Sequence, residues 1–242
     1  MDNNLALMTG IDFPIPECQL IVHQPTIKEI SFLGEEQFFV GIQTVCLYKS
    51  MFVNSEDKDV LDNVTNFQIF MTIVNNKETR DKKIVVEDLF QLLFPKYKIM
   101  FTPQSIIFQD ESGVHIVDNN NFEYLQNAIR KIVCAQTGPM DQQAFNPADA
   151  KAKEIADKLM RGRQRVAAQN AQNRGSIFSQ YLSSLSIGAG FDLLALINLT
   201  MYQLYDLVER YSLYMNWDLD IRIRLAGGSP DSPAEDWMKN IH

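Results

Sequence analysis

The sequence predicts an α+β fold that is predominantly helical. It has N-terminal helices with a small antiparallel β-meander, a long basic connecting helix and an all-helical C-terminal part. Three observations predict this. Apolar residues recur at helical spacing before and after the middle of the chain. Between Tyr97 and Val117 the apolar runs become short and are bounded by turn residues. Ala148–Asn173 is alanine-rich, basic and free of proline.

Taken in order, residues 1–17 read as a mobile lead with two prolines near its end, and Cys18–His23 as a short strand. Thr26 and Glu29 stand at capping-box spacing, predicting a helix over Ile27–Leu33 that Gly34 stops. A second helix is expected from about Glu35 to Val53, burying Phe38, Phe39, Ile42, Val45 and Cys46. Asn54–Asp59 reads as an acidic turn. A third helix over Val60–Val74 would bury Leu61, Val64, Phe67 and Met71. The charged stretch Asn75–Lys83 reads as a loop, and Val85–Phe94 as a helix ended by Pro95.

Tyr97–Thr102, Ser105–Gln109 and Val114–Val117 form the expected meander. Asn119–Asn121 would cap a helix over Phe122–Cys134, with Leu125, Ile129, Ile132 and Val133 facing the core. Two X-Pro or Gly-Pro pairs mark a linker, giving an α+β front module at 1–137, a linker at 138–147 and a helical back module at 148–242. The basic helix, Ala148–Asn173, would be roughly 38 Å long. Beyond Gly175, Ile177–Leu185 reads as a short helix and Ile187–Gly190 as a turn. Phe191–Ile197 is a short helix or turn. Asn198 or Thr200 then caps a final helix to about Leu225, with Leu204, Val208, Tyr211, Met215 and Leu219 as its buried stripe. Gly227-Gly228 ends it, and Ser229–His242 is a tail anchored by Trp237.

Composition narrows the function. A chain that is 46% apolar and 21% charged builds a core. A net charge of -8 repels phosphate backbones, so nucleic acid is an unfavoured partner. Three widely spaced cysteines (Cys18, Cys46, Cys134) give neither a disulfide framework nor a CxxC metal pair, which points to a reducing compartment. The N-terminus lacks the basic and apolar regions of a signal peptide. Asp192, Asn198 and Gln203 interrupt the most apolar late stretch, so no membrane span is expected.

No catalytic pattern emerges. Gly188-Ala-Gly190 is half of a dinucleotide fingerprint without the strand or third glycine. Asp218 and Asp220 stand two apart, so on a helix their carboxylates diverge. His23, His115 and His242 have no Cys, Asp or Glu at metal-ligand spacing, and the cysteines sit among apolar neighbours. The expectation is a non-enzymatic protein with no cofactor and no metal.

Two features remain. From Lys151 to Arg174 seven basic residues, including Arg161, Arg163 and Arg165, face two acids, a local charge of +5 that leaves -13 for the rest. Such asymmetry suits a helix packed on its own acidic domain or a docking surface for an acidic partner. The second feature is an aromatic surplus. Tyr181, Tyr202, Tyr205, Tyr211, Tyr214, Trp217 and Trp237 fall within 57 residues. One helix face cannot bury them all, and Tyr, Trp and Arg are interface anchors. Candidate partner contacts are therefore Arg161, Arg163, Arg165, Tyr202, Tyr205, Tyr214, Trp217, Arg222, Arg224 and Trp237.

The run FNPADAKAKEIADKLMRGRQRVA (Phe145–Ala167) resembles the connecting segment of tail assembly chaperones of tailed bacteriophages. The opening HQPTIKEISFLGEEQFF (His23–Phe39) and the closing Thr200–Asp206, DIRIRLAGG (Asp220–Gly228) and Asp236-Trp237 are similar to that family too. The resemblance implies a phage-encoded, non-enzymatic protein of the host cell cytoplasm. Members of that family coat the tape measure protein and recruit tail tube subunits, and several come in short and frameshifted long forms. Self-association is expected as well. The alternative is a structural virion component of the tail or neck.

Overall fold

A computed structural model of the chain describes residues 3–47, 64–76, 80–134, 175–229 and 236–238. The expected linker (138–147), the basic helix (148–173) with Arg161, Arg163 and Arg165, and the acidic turn (54–59) lie outside the described residues. Helices surround two small antiparallel sheets, as the α+β reading requires.

The N-terminal stretch is not a mobile lead. Helix α1 (Asn3–Thr9) is followed by strand β1 (Phe13–Ile15) and a single 3-10 turn, Pro16–Cys18. Strand β2 (Leu20–Val22) pairs antiparallel with β1, Phe13 opposite Val22. Alternation puts Phe13, Ile15, Leu20 and Val22 inside. Buried Gln24 secures the segment, its Nε2 donating to the carbonyls of Ala6 at 3.1 Å and Ile11 at 2.5 Å.

Helix α2 (Ile27–Leu33) has the expected capping box: Glu29 N–H donates to Thr26 Oγ1, and Thr26 N–H to Glu29 Oε2. Helix α3 (Glu35–Val45) is shorter than expected, because its described chain leaves the helix at Cys46. Two side chains of a later helix hold that end. Gln126 Nε2 donates to Val45 O at 2.7 Å, and Arg130 Nη2 to Cys46 O at 2.7 Å. Arg130 is only 1% exposed. Burial pulls its pKa below the ordinary value, and the negative end of α3 supplies the compensating acceptor.

Helix α4 (Asn66–Asn75) starts later than predicted, because Thr65 with Gln68 forms a second capping box and leaves Val64 outside the helix. Helix α5 (Arg80–Leu93) starts earlier. Its first turn carries the charges that looked like a loop, and Asp81 and Lys82 are exposed. Strands β3 (Lys98–Phe101), β4 (Ile106–Asp110) and β5 (Gly113–Val117) form the predicted meander, with Phe101 opposite Ile106 and Ile106 opposite Val117. Helix α6 (Phe122–Ile132) buries Leu125, Ile129 and Ile132, with Val133 beyond its end. Asn121 precedes it but makes no side-chain cap. Its amide reaches back to Ile116 O, and its Oδ1 accepts from Asp118 N–H.

Phenylalanine fills the centre. Phe70 lies 5.0 Å from Phe122, Phe94 5.0 Å from Phe108, and Phe90 5.3 Å from Phe101. Such pairs contribute about 0.5–1.5 kcal/mol each beyond area burial.

The C-terminal helices pack on the same core, which runs from Leu7 to Leu204. Helix α7 (Ile177–Ala189) stacks Phe178 on Phe39 at 5.5 Å, and Ile177 N–H donates to Glu35 Oε1 at 2.7 Å. It continues through Ile187–Ala189, where a turn was expected, and Gly190 caps it. Helix α8 (Leu193–Leu196) leads to backbone bonds from Ile27 N–H to Leu199 O and from Lys28 N–H to Ile197 O, both 2.9 Å. No described helix is long and apolar enough to cross a membrane.

Candidate functional surface

Helix α9 (Met201–Leu225) begins inside the molecule and ends outside it. Thr200 and Gln203 form its capping box, and Gln203 Nε2 also donates to Met8 O at 2.7 Å. Its first turns are core: Tyr202 and Leu204 are buried, as is Asp206, which pairs with Arg210 at 3.1 Å. Val208 and Tyr211 are half-buried against that core. Past Tyr211 no residue is fully buried, although Leu213, Asp218, Asp220 and Ile223 stay half-buried. Met215 is 45% exposed, Leu219 57% and Leu225 82%. The stripe predicted to bury Met215 and Leu219 therefore runs beyond the core that would cover it. Residues 212–225 project by about 21 Å at 1.5 Å per residue.

The projecting end carries two apolar lines. At about 100° per residue, Tyr214, Trp217, Ile221 and Leu225 share one side, while Met215, Leu219 and Ile223 share nearly the opposite side. Two ion pairs run between the lines: Asp218–Arg222 at 2.8 Å and Asp220–Arg224 at 3.1 Å. Each has the favourable i, i+4 order, acid before base. The helix ends in a Schellman motif. Gly228 N–H donates to Ile223 O and Gly227 N–H to Arg224 O, and Gly227 takes φ +83°, a conformation costly for any residue with a Cβ.

The predicted contact residues separate clearly in this setting. Tyr214, Trp217 and Trp237 come together, with ring centroids 5.6 Å apart for Tyr214–Trp237 and 6.4 Å for Trp217–Trp237. Trp237 thus closes the near end of the first line. Arg222 and Arg224 flank it in their ion pairs. Tyr205 stands half-buried at the root, edge-on to Tyr181 at 5.7 Å, and burial lifts its hydroxyl to about 12. Tyr202 is only 4% exposed and serves packing instead. The end of α7, the turn after it and the start of α8 add exposed Ile187, Phe191 and Leu194, and α7 approaches α9 closely at Gly188 and Tyr211.

Elsewhere the fold assembles groups that sequence spacing did not reveal. His23 Nδ1 lies 2.9 Å from Asp12, its Nε2 lies 3.4 Å from Glu29, and Lys96 reaches Asp12 at 3.0 Å. Burial alone would raise the Asp12 pKa, but hydrogen bonds from His23 and Lys96 bring it below the ordinary value. Glu29 is likewise lowered, burial being outweighed by its bonds from Thr26 and His23. Asp12, His23 and Lys96 are brought together by tertiary structure, so no motif could have announced them. His115 packs edge-on to Tyr97 with Asp110 beside it at 3.5 Å. Among the described residues no cluster of His, Cys, Asp and Glu could hold a metal ion. A shallow cleft of roughly 470 Å³ between α4 and the β3–β4 turn is lined by residues such as Met71, Thr72, Pro103 and Gln104.

No curated protein and no solved structure matches this chain. Residues 170–242, which contain α7, α8 and α9 with the projecting end, match the YomV second domain. That is a phage-derived family, and the match points to a phage protein.

Proposed function

We propose that the chain is a non-enzymatic tail assembly chaperone of a tailed phage, binding the tape measure protein and recruiting tail tube subunits in the host cytoplasm. The observation that carries this reading is the projecting end of α9. It offers two apolar lines and an aromatic corner within the segment that matches a phage-derived family. Contiguous exposed apolar surface marks a binding site. An exposed helix edged by ion pairs suits recognition of another helix, with anchors at i, i+4 spacing. The Met215–Leu219 line, with exposed Ile187, Phe191 and Leu194 around the α7–α8 junction, is the surface we assign to the tape measure protein.

Co-expression with the tape measure protein of the same genome tests this. The expected result is a soluble complex that survives size exclusion and is lost in a Met215→Glu, Leu219→Glu double variant. A tape measure protein that stays insoluble, with no complex eluting, would end the chaperone reading. Mass spectrometry of purified particles should find the chain absent or at trace level. Stoichiometric incorporation would make it a structural virion component.

A further inference from the structure

The segment Asp218-Leu-Asp-Ile-Arg-Ile-Arg224 reads alike in both directions about Ile221 if acid is exchanged for base. Asp218 mirrors Arg224, Leu219 mirrors Ile223, Asp220 mirrors Arg222, and one residue farther out Trp217 mirrors Leu225. All of this lies on the part of α9 that has left the core, and Trp217, Ile221 and Leu225 are 37%, 37% and 82% exposed along one side. We propose that a second copy of the chain packs there, antiparallel, with the two-fold axis at Ile221.

The charge order selects both the occupant and the direction. An isologous contact needs a patch complementary to itself. Antiparallel pairing sets the acidic half, Asp218 and Asp220, against the basic half of the other copy, Arg222 and Arg224. Parallel pairing sets acid against acid and base against base. The helix dipoles also oppose favourably in the antiparallel case. The existing ion pairs within each helix hold the four charges along the two edges of the apolar line, where they meet the partner's charges. The acids are only 25% (Asp218) and 12% (Asp220) exposed and are already paired within their own helix, so the charges set direction and register while the Trp217–Ile221–Leu225 line supplies the attraction. This contact uses the opposite side of α9 from Met215 and Leu219.

The experiment uses the purified full chain alone, so its failure leaves the tape measure reading untouched. Sedimentation velocity of the wild type should show a dimer. Asp218→Arg with Asp220→Arg, and separately Arg222→Asp with Arg224→Asp, should each weaken dimerisation at least 10-fold. An equimolar mixture of the two variants should restore it as a heterodimer, which no loss of folding could produce. Cross-linking a mixture of Trp217→Cys and Leu225→Cys chains with a short bis-maleimide checks direction without altering the charges. Peptides joined 217 to 225 should outnumber those joined 217 to 217. A monomeric wild type overturns the proposal, as does a dimer indifferent to both charge variants. So do helical variants whose mixture stays monomeric, or a majority of 217-to-217 links.

Discussion

The crossing of α3 and α5 gives the sharpest test of the packing. Gly41 is buried in α3, and a Cβ placed on it would meet Leu89 Cδ2 at 2.9 Å and Leu89 Cβ at 3.1 Å. The Cδ2 contact could be relieved by a rotamer change, but the Cβ contact could not, because that atom moves only with the backbone. Leu89 is itself fully buried, so Gly41→Ala overpacks a site with no outlet. Overpacking costs about 1–3 kcal/mol, and alanine returns about 1 kcal/mol of helix propensity. The net expectation is destabilisation by about 1 kcal/mol. Leu89→Ala alone opens a cavity and costs about 2–5 kcal/mol. In the double variant the shortened side chain at position 89 keeps its Cβ and the 3.1 Å contact, but the 2.9 Å contact is gone and the new methyl faces the cavity, so the two effects do not fully add. Urea unfolding followed by circular dichroism should place the double variant more than about 0.5 kcal/mol above the sum of the singles. Additivity within about 0.5 kcal/mol would refute the crossing, as would a Gly41→Ala protein stabilised by its full helix propensity.

Two further outcomes follow from titratable groups. Asp12 and Glu29 are both held below their ordinary values of 3.8 and 4.5. Their contribution is therefore complete above those values and lost as the pH falls through the lower folded-state ones. Acid titration by circular dichroism should show stability dropping below about pH 4, and His23→Leu should flatten that drop by removing a partner of both carboxylates. A wild-type profile level down to about pH 3 would contradict this. The thiols form the second case. Burial pushes Cys18 and Cys46 up to about 11 and Cys134 to about 12. Native protein at about pH 8 should react with iodoacetamide far more slowly than urea-unfolded protein, and equal rates would show the thiols to be open.

What the sequence disclosed was local. Thr26 and Glu29 cap α2 because both halves of the box lie within one turn of each other, and Gly34 stops that helix where a glycine should. The meander was visible because its turns carry their own chemistry, with Asp110 accepting from Ser112 and Gly113. What it hid was long-range. The N-terminal residues looked mobile because the groups that hold them, Gln24 and Gln203, come from later in the chain. The charged start of α5 looked like a loop because an exposed first turn is polar in either case. The i, i+4 rhythm of α9 ran true to Leu219, but rhythm says which residues share a side and not where the opposing surface stops.

That last point resolves the aromatic surplus of the C-terminal region. A single helix cannot bury Tyr202, Tyr205, Tyr211, Tyr214 and Trp217 on one side, and α9 does not attempt it. It uses length instead of angle to separate them. Tyr202 lies in the core, Tyr205 and Tyr211 pack half-buried at the root, and Tyr214 and Trp217 lie beyond it with Trp237. The root is anchored by its buried Tyr202 and Leu204 and by the Gln203 bond to Met8 O beside α1, so it resists rotation. An anchored root gives the exposed lines a defined direction. That lowers the entropy lost when a partner docks, and preorganisation of this kind converts modest apolar area into useful affinity. The helix is thus a rigid arm: the same rhythm that packs the core at one end presents the binding surface at the other.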